Sequence, residues 1–411
     1  MIEIPKNSTN SAWQVDKSPF SDYCSSEFPK KSNVVIIGTG LTGISTAYHI
    51  LNSSSSTLCV TLLEARQVCS GATSRNGGHL TSNIYSTTLS LLNNGFSPAQ
   101  VVEYAQFEID NYEAILKMIT EEELDCELVR KEHYNVAFSM DEFEDMKKNV
   151  DMMRNIGGPV SEVRIYQNPE ASIMTEMKCE GVVVHTYGGY IQPYKMVTGL
   201  LFNLFKKFPD RIKLFTHTPV EKIENNTIHT NRGTIIAEKI VYATNAYTSL
   251  LLPQMKDVII PVRGQVIQSN PVDRSIQSSS FNHGGEYLCQ TLTKKLIIGG
   301  ARRFSSTAEI NEIDDSILNE KVSVELQKFC EKVGGGRVEL EWTGIMGFTK
   351  FGIPVVKEVD GGVICAGFSG HGMPRIFLSA KEAARLVLQL NEPQITPSGF
   401  DQVRRITPDD I

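Results

Sequence analysis

One stretch near the start of the chain limits its fold more than any other. Asn33-Val34-Val35-Ile36-Ile37 is a β-branched run that begins abruptly after Lys31 and Ser32, as a fully buried parallel strand does. It runs directly into Gly38-Thr39-Gly40-Leu41-Thr42-Gly43. Ile44 to Leu51 then carries apolar residues at helical spacing, closed by Asn52 and the serines at 53–56. A second apolar run, Leu58 to Leu63, ends at Glu64. Each part of this strand, glycine turn, helix, strand and acid has a physical task. Gly38 permits the tight turn, Gly40 lets backbone approach a pyrophosphate, and Gly43 lets the helix lie close on the strand. The helix N-terminus offers N–H groups and a partial positive charge to phosphates. Glu64 stands 21 residues beyond Gly43, where a carboxylate can accept hydrogen bonds from ribose hydroxyls. The fold class is therefore α/β, with a Rossmann-like dinucleotide-binding domain.

Phosphate chemistry alone does not separate NAD from FAD. Ala65-Arg66 is followed by Gly71-Ala72-Thr73-Ser74-Arg75-Asn76-Gly77-Gly78-His79. This small, hydroxyl-rich loop carries one cation and suits a flexible anionic cofactor. A second Gly-x-Gly-x-x-Gly is absent, since Gly334-Gly335-Gly336 has the wrong spacing between a helical stretch and a strand.

Composition narrows the function classes. With 47 acidic and 40 basic residues the net charge is −7, which argues against a nucleic-acid coat. An apolar share of 41% and a charged share of 21% exclude a disordered chain. No apolar run approaches the ~18 residues of a membrane span. The first thirty residues lack a secretory core, and Pro408-Asp409-Asp410-Ile411 is not a peroxisomal address, so a cytoplasmic protein is expected. The eight cysteines have no Cys-x-x-Cys spacing, so most are expected to be buried thiols without disulfides. The histidines have no metal-ligand spacing, and no metal is expected.

The string from Val34 to His79 resembles the D-amino-acid oxidase superfamily of FAD oxidoreductases. Its form, Gly-Thr-Gly-Leu-Thr-Gly, Leu-Leu-Glu-Ala-Arg, then Ser-Gly-Ala-Thr-Ser-Arg-Asn-Gly-Gly, is most similar to the glutamylputrescine oxidase branch. Further similar segments run to residue 390: Gly188 to Pro193, Thr218-Pro219-Val220, Val241 to Ala246 with Ala243 and Thr244, Pro261 to Gln265, Trp342 to Gly347, and Gly367 to Met373. The resemblance implies FAD as cofactor, with Val220 at adenine and with Gly370, His371, Gly372 and Met373 facing the flavin ring. The residues agree: Gly362 to Ala366 reads as a buried strand, Gly367 to Met373 as a turn and Ser379 to Leu390 as a helix.

These motifs imply an interleaved organisation. Residues 1–32 form an irregular arm, pinned by Trp13 and Phe20. Residues 33–92, 182–252 and 344–395 form the FAD-binding domain, and 93–181 with 253–343 form an α+β substrate domain with an antiparallel sheet. Residues 396–411 form a tail. Helices are expected at 99–120 and 140–156, and strands at 258–268, 286–290, 295–300 and 338–342.

The flavin accepts a hydride at N5, so the protein mainly binds, orients and excludes water, and no acid–base residue is assigned. In the glycine oxidase branch an arginine holds the substrate carboxylate; the matching position here is Met346. In the sarcosine oxidase branch a cysteine tethers FAD; the match is Gly344, so the FAD is expected to be non-covalent. A lysine that activates oxygen there is matched by Ile298, which leaves oxygen or another acceptor open. Substrate-binding candidates are Arg263, Arg302, Tyr287, Gln290 and Met346. Tyr287 and Gln290 are odd-spaced on one strand and should face opposite sides. His371 is expected to donate to the flavin carbonyl edge, and His79 to lie near the ring face. The expected function is hydride transfer from a C–N bond of an amine or amino acid. The alternatives are an NAD-dependent dehydrogenase, disfavoured by the loop and the late glycine turn, and an FAD-binding protein without turnover that serves a partner or trafficking role. The sequence is silent on oligomeric state.

Overall fold

The computed structural model describes residues 4–5, 7–53, 58–402 and 404–406. The serines at 54–56 and the tail residues 407–411 lie outside the described residues. The apolar run after Lys31 forms the strand Lys31–Ile37, central in a sheet. Its neighbours are Val60–Leu63 and Gly233–Tyr242, both parallel. Ile212–Phe215 extends one side and Gly362–Ala366 the other, also in parallel. Val355–Val359 closes that edge antiparallel. Strands buried on both faces need helices on each side. Two of them, Leu41–Ser53 and Ile376–Leu388, pack against one another on one face of the sheet.

The ribbon Val220–Glu224 and Thr227–Thr230 joins this sheet through Gly233–Tyr242, and a second sheet has the order Val338–Phe348, Ile260–Pro271, Lys295–Gly300, Glu286–Gln290, Ser278–Phe281, Val129–Ala137, Gly181–Tyr190 and Arg164–Gln167. All pairings are antiparallel except Ser278–Phe281 with Val129–Ala137. Its alternation is sharp. Tyr134, Val136, Val182, Val184, Phe281, Leu288 and Ile298 face one way, onto the helix Glu320–Lys332. The other face carries His133, Asn135, His185, Ser280 and Tyr287, which look into the molecule.

The domain edges differ from the sequence blocks. The strands Gly181–Tyr190 and Val338–Phe348 lie in the second sheet, so residues 182–190 and 344–348, expected in the FAD-binding blocks, pair there. The expected helices at 99–120 and 140–156 appear as Pro98–Glu121, opened by a Ser97/Gln100 capping box, and Met140–Asn155. Six cysteines are buried, and burial raises the Cys126 thiol to about 12 and the Cys330 thiol to about 11, so these stay protonated. Among the described residues no helix is long and apolar enough to cross a membrane.

The arm docks as expected. Trp13 is buried, and Phe20 packs against Phe205 with tilted rings, centroids 4.8 Å apart.

Candidate active site

A cavity of about 980 Å³ runs between the two sheets. One end is Glu64, Thr218 and Val220; it passes the Gly38–Gly43 turn and reaches His371, Met346 and the polar face of the second sheet. The turn is built as its glycines require. Gly38 has φ +104°, and a Cβ there would strike the Ala243 carbonyl oxygen. A Cβ on Gly43 would land on the Gly38 carbonyl. Glu64 closes the turn from below: Oε2 accepts from Thr39 N–H at 3.0 Å and Thr39 Oγ1 at 2.7 Å, and Oε1 from Arg66 N–H at 3.0 Å. Thr73 Oγ1 accepts the Leu41 N–H at 3.0 Å, which satisfies one open donor of the helix start.

The loop at 70–79 is held from three sides. Trp342 Nε1 donates to the Arg75 carbonyl at 3.0 Å and Trp13 Nε1 to the Asn76 carbonyl at 2.7 Å. Cys289 Sγ donates to the Gly77 carbonyl at 2.9 Å. Both tryptophans of the chain are spent on this one loop.

Except for Gly43, Ser74 and Gly78, every residue expected to bind the cofactor lines the cavity. Those three act behind the wall: Ser74 Oγ bonds the Cys69 carbonyl, and Gly78, at φ +73°, turns beneath Trp13. Arg75 needs a correction. It borders the cavity, but its guanidinium turns away to the Thr343 carbonyl at 2.7 Å, to Thr9 Oγ1 at 3.1 Å and toward Asp315 at 3.6 Å. Arg66 grips the same Asp315 bidentately, at 2.9 Å for both bonds. Burial lowers the Arg75 guanidinium to about 10, against the pull of Asp315. Neither cation is free to meet phosphate, so an anion here relies on backbone N–H groups. Asp315 itself is 1% exposed. Asp315→Ala leaves two arginines without their carboxylate and is expected to cost about 3–5 kcal/mol, read as a loss in denaturant-melt stability.

The substrate candidates separate. Tyr287, Arg302 and Met346 line the cavity. Arg263 does not. Strand alternation turns it to the far side, where Nε meets Glu309 Oε2 at 2.5 Å. Gln290 also faces away, its amide donating to the carbonyls of Val272 and Arg274 at 3.1 and 2.9 Å. Ile298 is buried on the apolar face of the second sheet, so the position matched to the oxygen-activating lysine lies off the cavity; Gly299 occupies the inward register under Tyr287. Among the described residues neither lysine nor cysteine lines the cavity. The Arg302 guanidinium lies 4.8 Å over the Phe348 ring, and burial lowers its pKa.

His371 stands in the cavity wall, but its backbone N–H already donates to the Phe368 carbonyl at 2.8 Å. Its Nε2 donates to Glu108 Oε2 at 2.9 Å, which leaves Nδ1 for a ligand. The sequence reading missed Glu108 and Arg375, whose Nε donates to Glu108 Oε1 at 2.7 Å. Burial alone would raise the Glu108 carboxyl, but Arg375 and His371 outweigh it and hold it below the ordinary carboxylate range. The signal was present: Glu108 falls on the Val101, Ala105, Tyr112, Ile115 stripe that a helix buries. His133 and His185 were missed too, hidden in strands read only for hydrophobicity.

Comparison with known proteins agrees with this geometry. The chain is 23% identical over 368 residues to the gamma-glutamylputrescine oxidoreductase of Escherichia coli K12, covering 86% of this chain and 83% of that protein. Its fold is similar to glycine oxidase from Geobacillus kaustophilus, with TM-score 0.76, 19% identity, and coverage of 92% of this chain and all of the other. It is also similar to L-alpha-glycerophosphate oxidase from Mycoplasma pneumoniae with FAD bound, at TM-score 0.69, 16% identity and coverage of 92% and 100%. The model of the FAD dependent oxidoreductase family matches residues 33–386, and the chain belongs to that family.

Proposed function

We propose that this FAD-dependent oxidoreductase oxidises the C–N bond of an amine or amino acid, with FAD held non-covalently along the cavity. The observation that carries the reading is the continuity of that cavity, from the Glu64 end through the glycine turn to His371, Met346 and the inward face of the second sheet. The residues fit the coenzyme. A backbone cradle that a Cβ would fill sits beside a carboxylate placed for ribose, and the turn at 367–373 closes the far end. Gly38 to Thr42 and Gly71 to Thr73 would hold the diphosphate, Glu64 the ribose, Thr218 and Val220 the adenine, and Gly370 to Met373 the ring. When bound, the flavin supplies the two-electron acceptor for a hydride from carbon next to nitrogen.

The chain's own contribution is orientation. Tyr287 and Met346 would wall the reacting face, on the inward side of the second sheet. Arg302, its guanidinium over the Phe348 ring and on the cavity wall, is placed to grip a carboxylate. Names in the comparisons support this chemistry: one relative is an oxidoreductase of gamma-glutamylputrescine and one structural neighbour a glycine oxidase. Oxygen or another acceptor would reoxidise the reduced flavin. We place the protein in the cytoplasm and expect a small-molecule substrate and no nucleic-acid partner.

The purified protein is expected to be yellow, with absorbance at about 450 nm, and an amine panel without air should bleach it. A yellow protein that no amine or amino acid bleaches would sink the proposal in favour of a flavin-binding role without turnover.

A further inference from the structure

We propose that the part of the cavity walled by Thr81, Tyr85, Asn135, His133 and His185 is a subsite for an uncharged hydrogen-bonding group, an amide or a hydroxyl, at the non-reacting end of the substrate. The inference rests on the amine-oxidising reading and adds to it what the far end of the substrate must be.

The chain brings these groups together by strand alternation. Backbone N–H groups of Leu80 and Ser82 donate to the carbonyls of Gly189 and Tyr187, each at 3.1 Å. Residues 79–82 thus run as an extended ribbon, and His79 and Thr81 point into the cavity while Leu80 enters the core. His133 and His185 are register partners on adjacent strands and face the same way, with ring centroids 5.3 Å apart. His79 lies 5.8 Å from His133 by the same measure.

Four buried polar atoms in this wall are left short of partners among the described residues: His79 Nε2, Thr81 Oγ1 and His185 Nδ1 have none, and Tyr85 OH has only the Asn135 side chain beside it. Tyr85 is 2% exposed and His185 is 1% exposed. Buried polar groups in folded proteins are nearly always bonded, so four in one wall mark a place where a ligand or its displaced water completes them. Their chemistry sets the ligand's. Burial holds His79 and His185 at about 4 and holds His133 well below its ordinary value, so the rings are neutral near pH 7. Glu108, behind the wall, binds His371 and Arg375, and Arg303 binds Glu286; Arg302, which also lines the cavity, sits over Phe348 and is assigned above to a substrate carboxylate rather than to this subsite. A carboxylate or ammonium placed here would lose its water without gaining a counter-ion. An amide or hydroxyl carries both donor and acceptor, as neutral imidazoles and hydroxyls do.

The test is calorimetric titration of the flavin-loaded protein with hexanamide, hexanol, hexanoate and hexylammonium, together with anaerobic bleaching by amines of matched length ending in amide, carboxylate or methyl. Hexanamide or hexanol is expected to bind about tenfold more tightly than either ion. Tyr85→Phe should weaken the amide about fivefold, the share of one hydrogen bond, and leave the ions within about twofold. Thr81→Val, which keeps shape, should act in the same selective way and serves if Tyr85→Phe fails to retain flavin. Tighter binding of an ion than of the amide, or an equal loss for all ligands in both variants, overturns the subsite. Selective amide binding by a protein that no amine bleaches would instead overturn the amine-oxidising reading and leave the subsite standing.

Discussion

Gly43→Ala is expected to yield a protein that has lost at least about nine tenths of its bound flavin, seen as a collapse of the 450 nm to 280 nm absorbance ratio after purification. The added methyl meets the Gly38 carbonyl oxygen, not a side chain that can rotate aside. Gly38 cannot yield either. Its φ of +104° is confined to glycine-like geometry, and its own Cα faces the Ala243 backbone on the neighbouring strand. The helix Leu41–Ser53 must therefore lift away from the strand, and with it go the N–H groups that would meet the diphosphate. Overpacking of this kind costs about 1–3 kcal/mol in fold stability, so the variant should remain folded while losing its coenzyme. A fully yellow Gly43→Ala protein would contradict the assignment of this turn.

Acid should destabilise the protein steeply well above the usual carboxylate range. Four buried histidines, His49, His79, His133 and His185, have folded-state pKa values pushed down by burial, to about 3, about 4, lower than normal, and about 4 respectively. In the unfolded chain each would titrate at about 6.5. The folded state therefore refuses protons that the unfolded state accepts, and stability is fully present above pH 6.5 and falls as the pH drops toward 4. Each such histidine contributes a slope of about 1.4 kcal/mol per pH unit in that window. The four act in the same direction across this window, and their losses are large against a folding margin of about 5–15 kcal/mol. Glu108, held low by Arg375 and His371, adds its own loss only below its ordinary range. Thermal melts from pH 7 to pH 4.5 should show a continuous fall, and His185→Phe should flatten it by about a quarter. A melting temperature constant from pH 7 to pH 5 would refute the neutral-histidine account.

Much of the nucleotide half was legible because its chemistry uses backbone. Glycines at 38, 40 and 43 and an acid after the second strand leave a one-dimensional signature, since all four lie within 27 residues. The substrate half has no such economy. Arg263 and Arg302 look alike in sequence, yet one falls on the outward register and meets Glu309 while the other follows the strand end and borders the cavity. Only the pairing of Ile260–Pro271 with Val338–Phe348 decides which face a residue takes, and a shift of one position would exchange them. Asp315 was invisible for a related reason. It matters because Arg66, Arg75, Thr9 and Thr343 converge on it from separate stretches of chain, and convergence has no local spacing.

That convergence also orders events at birth. Thr9 hydrogen-bonds the Asp315 carbonyl 306 residues later, and its hydroxyl accepts from Thr343 N–H, 334 residues later. During synthesis the leading segment must wait, undocked, until almost the whole polypeptide has left the ribosome. The ties that Thr9 makes to Arg75, Asp315 and Thr343 are thus among the last contacts the chain can complete.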